Sequence, residues 1–170
     1  MMGVGKSTIG KAVSKHLSME FIDVDKVIEK KVQLSIQEIF RQKGEVFFRK
    51  LEEKVTLEEL RKNNKVISLG GGAFMNVKIR NYAITNTHSF WLNVNIEELA
   101  KRLANSKKRP LLIDKNIKLT LQKIYNERRK IYSLANYVID CNNLNSTLIV
   151  KRIINSVSYT HLTLPTKRIL

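Results

Sequence analysis

Residues 3–8 read Gly-Val-Gly-Lys-Ser-Thr, and how they are interpreted decides the fold. A phosphate-binding loop has the pattern G-x-x-x-x-G-K-[ST], follows a buried strand and opens a helix. Gly5, Lys6, Ser7 and Thr8 supply the second half of that pattern. Its first glycine falls ahead of Met1, and so does the strand that feeds the loop. The helix that should follow is legible, because Ile9, Val13 and Leu17 recur every four residues as one apolar stripe.

In such a loop, glycines let backbone N–H groups converge on phosphate oxygens, and the helix N-terminus adds partial positive charge. Lys6 then reaches the β- and γ-phosphates, and the Ser7 hydroxyl is a ligand for Mg²⁺. Taken alone, the half motif is equally a glycine turn capping a helix. The rest of the chain has to arbitrate.

The 170 residues suit one domain with its own core. Hydrophobic content of 43% and charged content of 27% are those of an ordinary globular protein. No apolar run approaches the ~18 residues of a membrane helix. Residues 1–20 lack the continuous apolar core of a secretory signal. The single cysteine, Cys141, excludes an internal disulfide and suits a reducing cytoplasm.

Lys and Arg number 31 against 15 Asp and Glu, a formal charge of +16. That balance invites nucleic acid as a partner. The basic residues are scattered, however, and 7% aromatic content leaves few platforms for stacking bases. Small anionic metabolites are the expected partners, with neither nucleic acid nor membrane, on a chain expected to be a monomer.

Short apolar runs alternate with longer amphipathic stretches, the α/β pattern. Strands are expected at residues 19–25, 65–69, 89–94 and 137–141. Helices are expected after the loop, at 26–31, across 35–64 with an interruption at Gly44, from Ile96 to Ala104, at 119–135 and at 146–157. Residues 105–117, with Pro110 and dense charge, read as a loop. Residues 158–170 break the rhythm, with Pro165 and no helical period, and are expected to be a non-native extension.

Five further stretches carry chemistry. Asp23 and Asp25 close the expected strand 19–25, where residues two apart share a face. Beside a phosphate loop, they suit Mg²⁺ water and a substrate hydroxyl. Arg49 follows Phe47 and Phe48, so its fork emerges from an apolar patch and can hold a carboxylate through two bonds. Gly70, Gly71 and Gly72 follow a strand at the carboxyl edge, where open α/β sheets bind ligands. Arg109 precedes Pro110, placed as a lid arginine over a transferring phosphate, and Arg128 or Arg129 offers a second anion clamp. Taken alone, Arg109 and either of Arg128 and Arg129 read as solvated faces.

Together, residues 3–25, 39–53 with "GEVFFR", 68–73 with "SLGGGA", 107–112 with "KKRPLL" and 126–132 with "NERRKIY" resemble shikimate kinase in order and separation. The resemblance covers about residues 1–155. It implies a P-loop three-layer α/β sandwich with a parallel sheet whose first strand is missing, a helical substrate-binding insert near 26–60 and a lid near 105–117, all in one domain spanning 1–157. It implies ATP and Mg²⁺ as cofactors and transfer of a phosphoryl group to the 3-hydroxyl of shikimate.

By that resemblance, Gly3, Val4, Gly5, Lys6, Ser7 and Thr8 form the ATP phosphate loop, and Ser7 with Asp23 the Mg²⁺ arrangement. Asp25, Arg49, Gly70, Gly71, Gly72 and Arg128 bind shikimate, with Asp25 holding the accepting hydroxyl and open as to whether it takes the proton. Lys6, Asp25 and Arg109 are the catalytic set, and Arg102 lies against adenine. Lys130 stands where the family tends to have proline; Tyr132 keeps its place and so favours Arg128 over Arg129. The rivals are another small-molecule kinase of this fold, such as a gluconate kinase, and a basic nucleic-acid-binding protein.

Overall fold

The structure is a computed structural model and describes residues 3–104, 117–161 and 168–169. Helix α1 (Lys6–His16) starts from Gly5, whose φ of 87° lies in the left-handed region that glycine adopts without penalty. Strand β1 (Glu20–Asp23) leads directly into α2 (Val24–Val32). A long α3 (Ile36–Leu60) follows, broken at Gly44, where φ 79° and ψ 169° leave helical space. Ser35 caps α3 by accepting from the Glu38 N–H, while the Glu38 carboxylate accepts from the Ser35 N–H, a reciprocal capping box.

Strand β2 (Lys65–Ser68) runs into the three glycines and a 3₁₀ turn at Ala73–Met75. Then come α4 (Val77–Asn86), β3 (Thr87–His88), β4 (Phe90–Asn93) and α5 (Ile96–Ala104). Helix α6 (Ile117–Tyr132), β5 (Tyr137–Asp140), α7 (Ser146–His161) and β6 (Arg168–Ile169) complete the described elements.

All described strand pairs are parallel: β1 with β2, β4 with β5, and β3 with β6. Two cores flank the strands. Phe21 and Val66 join the first, with Val13, Leu99, Leu121 and Ile153; Ile22 and Ile67 join the second, with Ile28, Ile39, Val55 and Ile79. Successive strand residues therefore enter opposite cores, as a sheet covered on both faces requires. Helix α1 sits low on β1 because position 10 is glycine: a Cβ there would lie 2.5 Å from Cε2 of Phe21.

Between β2 and β4 the sheet is interrupted by an open cavity of about 130 Å³, lined by Val4, Val66, Ser68, Phe90, Leu92 and Ile153 among others. Among the described residues no strand precedes α1. The two-residue β6 pairs with β3 and packs on β2.

Three expectations need correction. The strand expected at 19–25 ends at Asp23, and Asp25 lies in the first turn of α2, so the two carboxylates do not share a strand face. Residues 77–86 form a helix the apolar periodicity did not reveal, since only Ile79 and Ala83 are buried along it. Helix α7 continues to His161, beyond the expected stop at 157, and Arg168–Ile169 is strand. Most of the expected lid, 105–116, lies outside the described residues, and residue 117 already belongs to α6.

Candidate active site

The phosphate loop folds as its glycines dictate. Gly3 and Gly5 both take positive φ, 76° and 87°, and the loop delivers Lys6, Ser7 and Thr8 into the first turn of α1. A Cβ on Gly3 would lie 3.1 Å from Cδ2 of Leu103, so α5 packs closely on the loop. Arg102, one residue earlier on α5, is thereby brought to the loop's neighbourhood along the chain; its side chain lies outside the described set, as does all of Arg109. From α1, Ser7 Oγ donates to Asp23 Oδ2 at 2.7 Å. Asp23 ends β1 and Ser68, its partner in register, ends β2.

The glycine strip is where the remaining expected residues meet. A Cβ on Gly70 would lie 2.6 Å from Glu52 Oε1 and 2.7 Å from Asp25 Oδ1, so both carboxylates press on that backbone. A Cβ on Gly72 would lie 2.8 Å from Nη1 of Arg49. Arg128 Nη1, from α6, donates to the Gly71 carbonyl at 2.7 Å, and the Tyr132 hydroxyl donates to the same oxygen. A side chain at position 70 or 72 would therefore displace the charged ends of Asp25, Glu52 or Arg49, and neither glycine is there for a positive φ.

Arg49 emerges from aromatic surroundings as expected, its guanidinium carbon 5.2 Å from the Phe48 ring centroid and 5.9 Å from that of Phe40. It pairs with Glu52 at 2.7 Å and with Glu45 at 3.2 Å. Partial burial alone would lower the pKa of this guanidinium, but hydrogen bonds and charge from Glu52, then Glu45, raise it above its usual value. Glu52 is only 2% exposed. Burial pushes its carboxyl above the ordinary carboxylate range, and the Asp25 charge adds to that, against the opposing pull of Arg49 and Arg128. The pair favours charge on Arg49 more effectively than on Glu52, because the carboxylate bears the greater desolvation.

Glu52 and Tyr132 are the site residues that sequence reasoning did not assign to it. Glu52 lies in "KLEEK", which reads as a solvated helix face; its only signal was the i, i+3 spacing from Arg49. Tyr132 was a register marker, although it lies four residues after Arg128 and so on the same face of α6.

A glycine loop opening a helix, a hydroxyl–carboxylate pair beside it and an arginine-rimmed glycine strip define the class of a P-loop phosphotransferase on an α/β sheet. The family model described as shikimate kinase matches residues 2–158. The shikimate kinase of Bartonella henselae is 39% identical over 159 residues, covering 94% of this chain and 76% of the relative. Among solved structures, shikimate kinase from Acinetobacter baumannii in complex with shikimate aligns with a TM-score of 0.87 at 30% identity, covering 95% of this chain and 91% of that one. That from Aquifex aeolicus aligns at 0.81 and 36% identity, covering 95% of each. The chain belongs to the shikimate kinase family.

Proposed function

We propose that the chain transfers the γ-phosphoryl group of ATP to the 3-hydroxyl of shikimate, giving shikimate 3-phosphate and ADP. The observation that carries this reading is the glycine strip with Asp25 at one end and two arginines, Arg49 and Arg128, at the other, beside the Ser7–Asp23 pair. A hydroxy acid suits it: the arginines take the carboxylate and Asp25 accepts a hydrogen bond from the hydroxyl that attacks.

In the transfer, a bond forms between that oxygen and the γ-phosphorus while the bond to the β,γ-bridging oxygen breaks. ADP leaves with the bonding pair, and the hydroxyl proton passes to Asp25 or to solvent. Catalysis is mainly positioning and charge stabilisation, since phosphoryl transfer asks little covalent help. Lys6 and the N–H groups of residues 3–8 hold the phosphates, and likeness to the family assigns Arg102 to adenine and Arg109 to the moving phosphoryl.

A hydroxyl and a carboxylate oxygen 2.7 Å apart form a hard-oxygen donor set that fits Mg²⁺. Among the described residues no cluster of three or more His, Cys, Asp or Glu could hold a metal, so Ser7 and Asp23 would share the ion with substrate phosphates. When bound, Mg²⁺ neutralises phosphate charge. No described helix is long and apolar enough to cross a membrane. From membership of the family, we infer a monomeric enzyme of the cytoplasm.

The test is ADP release from ATP with shikimate and, in parallel, gluconate, with the product's phosphate position read by ³¹P–¹H NMR. Shikimate-dependent turnover to the 3-phosphate is expected. Turnover with gluconate alone would replace the substrate, and salt-sensitive RNA binding without kinase activity would replace the function.

A further inference from the structure

The Gly71 carbonyl accepts from two donors on one helix face, Arg128 Nη1 at 2.7 Å and the Tyr132 hydroxyl. Tyr132 is 6% exposed, its ring edge-on to Phe74 and Trp91 at centroid distances of 6.4 and 6.0 Å. A carbonyl oxygen has two lone pairs, so both donors can be accommodated at once. They differ in what else is asked of them. Arg128 is the residue assigned above to the substrate carboxylate, whereas the tyrosine ring is fixed by its packing.

We propose that Tyr132 is a positioning residue: its hydroxyl keeps the Gly71 carbonyl satisfied when Arg128 turns to the substrate carboxylate. The argument is one of accounting for a part-buried acceptor. An oxygen that loses its only donor pays the desolvation of an unpaired group, which opposes the motion that strips it. With the tyrosine in place, Arg128 leaves no orphan behind. The hydroxyl also stops the Gly71–Gly72 peptide from turning, a rotation that paired glycines resist least. Without it, Arg128 stays on the carbonyl and the carboxylate clamp is weakened.

This inference rests on the assignment of Arg128 to the shikimate carboxylate, and the experiment separates the two. Tyr132→Phe removes the hydroxyl and keeps the ring. The loss of one such bond predicts a rise in shikimate KM of roughly fivefold to tenfold, with kcat and the KM for ATP within about twofold of the parent. The effect should vanish where there is no Arg128 to release. In an Arg128→Ala background, Tyr132→Phe is expected to change shikimate affinity, read by calorimetry, by less than about twofold.

An unchanged shikimate KM in the single variant would overturn the proposal. So would equal weakening of ATP and shikimate with a lowered melting midpoint, which marks a packing role, or full additivity in the double variant. If Arg128→Ala itself leaves shikimate affinity intact, the assignment of the clamp fails instead, and the inference falls with it.

Discussion

The two halves of the site are held in opposite ways. On the substrate side, Arg49 pairs with Glu52 along α3, Arg128 of α6 donates to the Gly71 carbonyl, and α2 and α3 pack over an apolar core that includes Ile28, Ile39, Val55 and Ile79. On the nucleotide side, the loop at residues 3–8 stands over a cavity of about 130 Å³ between β2 and β4. The first half is fixed by specific side chains and is therefore sensitive to single substitutions. The second depends on how completely the sheet beneath it is filled.

The sharpest break in that comparison is Arg49→Ala. Loss of one partner of a partly buried, hydrogen-bonded charge pair predicts shikimate binding weaker by roughly 2–4 kcal/mol, with ATP affinity little changed. The guanidinium side chain is 39% exposed, which favours the lower end. The change also strips Glu52 of its counter-ion. Its folded-state pKa already lies above the usual value, so its protonated form is the one folding prefers; stability from this group is present at low pH and is lost as pH rises through the folded pKa. The melting-point deficit of Arg49→Ala should therefore be larger at pH 8 than at pH 5. A pH-independent deficit would show that Glu52 is not strained by its burial.

Gly70→Ala comes next. Its Cβ would fall within 2.7 Å of two carboxylate oxygens, so Asp25 or Glu52 must shift. Misplacement on the ångström scale predicts about a 10²-fold fall in kcat/KM for shikimate, with the KM for ATP kept. Equal damage to both substrates would mean that the halves are mechanically one.

The nucleotide half is probed by filling it. A chain extended ahead of Met1 by an apolar strand ending in glycine should pack against the residues lining this cavity, and a higher melting midpoint than that of the parent chain is the expected result. The extended chain should also bind ATP more tightly. Equal midpoints and equal ATP affinity would show that the cavity costs nothing.

The smallest effect belongs to neither half of the chemistry. Ser35→Ala removes the cap of α3 and predicts a loss of about 1 kcal/mol in stability, read by denaturant titration, with shikimate and ATP KM values unchanged.

What could be read from sequence follows the same division. The loop, α1, the break at Gly44 and α5 were legible because glycine chemistry and apolar period are local signals. Helix α4 was not, because its only buried positions are Ile79 and Ala83 and its start depends on Asn76 accepting from the N–H groups of Lys78 and Ile79. The end of β1 was misjudged by two residues, since the apolar and acidic alternation of residues 21–25 fits a strand while the chain turns helical at Val24. Glu52 was missed for a different reason. Its role is created by burial between Arg49 and Gly70, which are brought together only in the tertiary fold.

The glycine at position 10 reaches further than packing. Gly10 and Ser7 are three residues apart on one face of α1, and Phe21 and Asp23 are two apart on β1. Gly10 meets the Phe21 ring, and Ser7 meets Asp23. The hydrogen of Gly10 thus acts as a shim of fixed thickness that gauges the gap between the hydroxyl and the carboxylate. A methyl inserted there would pry helix and strand apart and lengthen the Ser7–Asp23 span, so a residue with no functional group at all sets the tolerance of the oxygen pair.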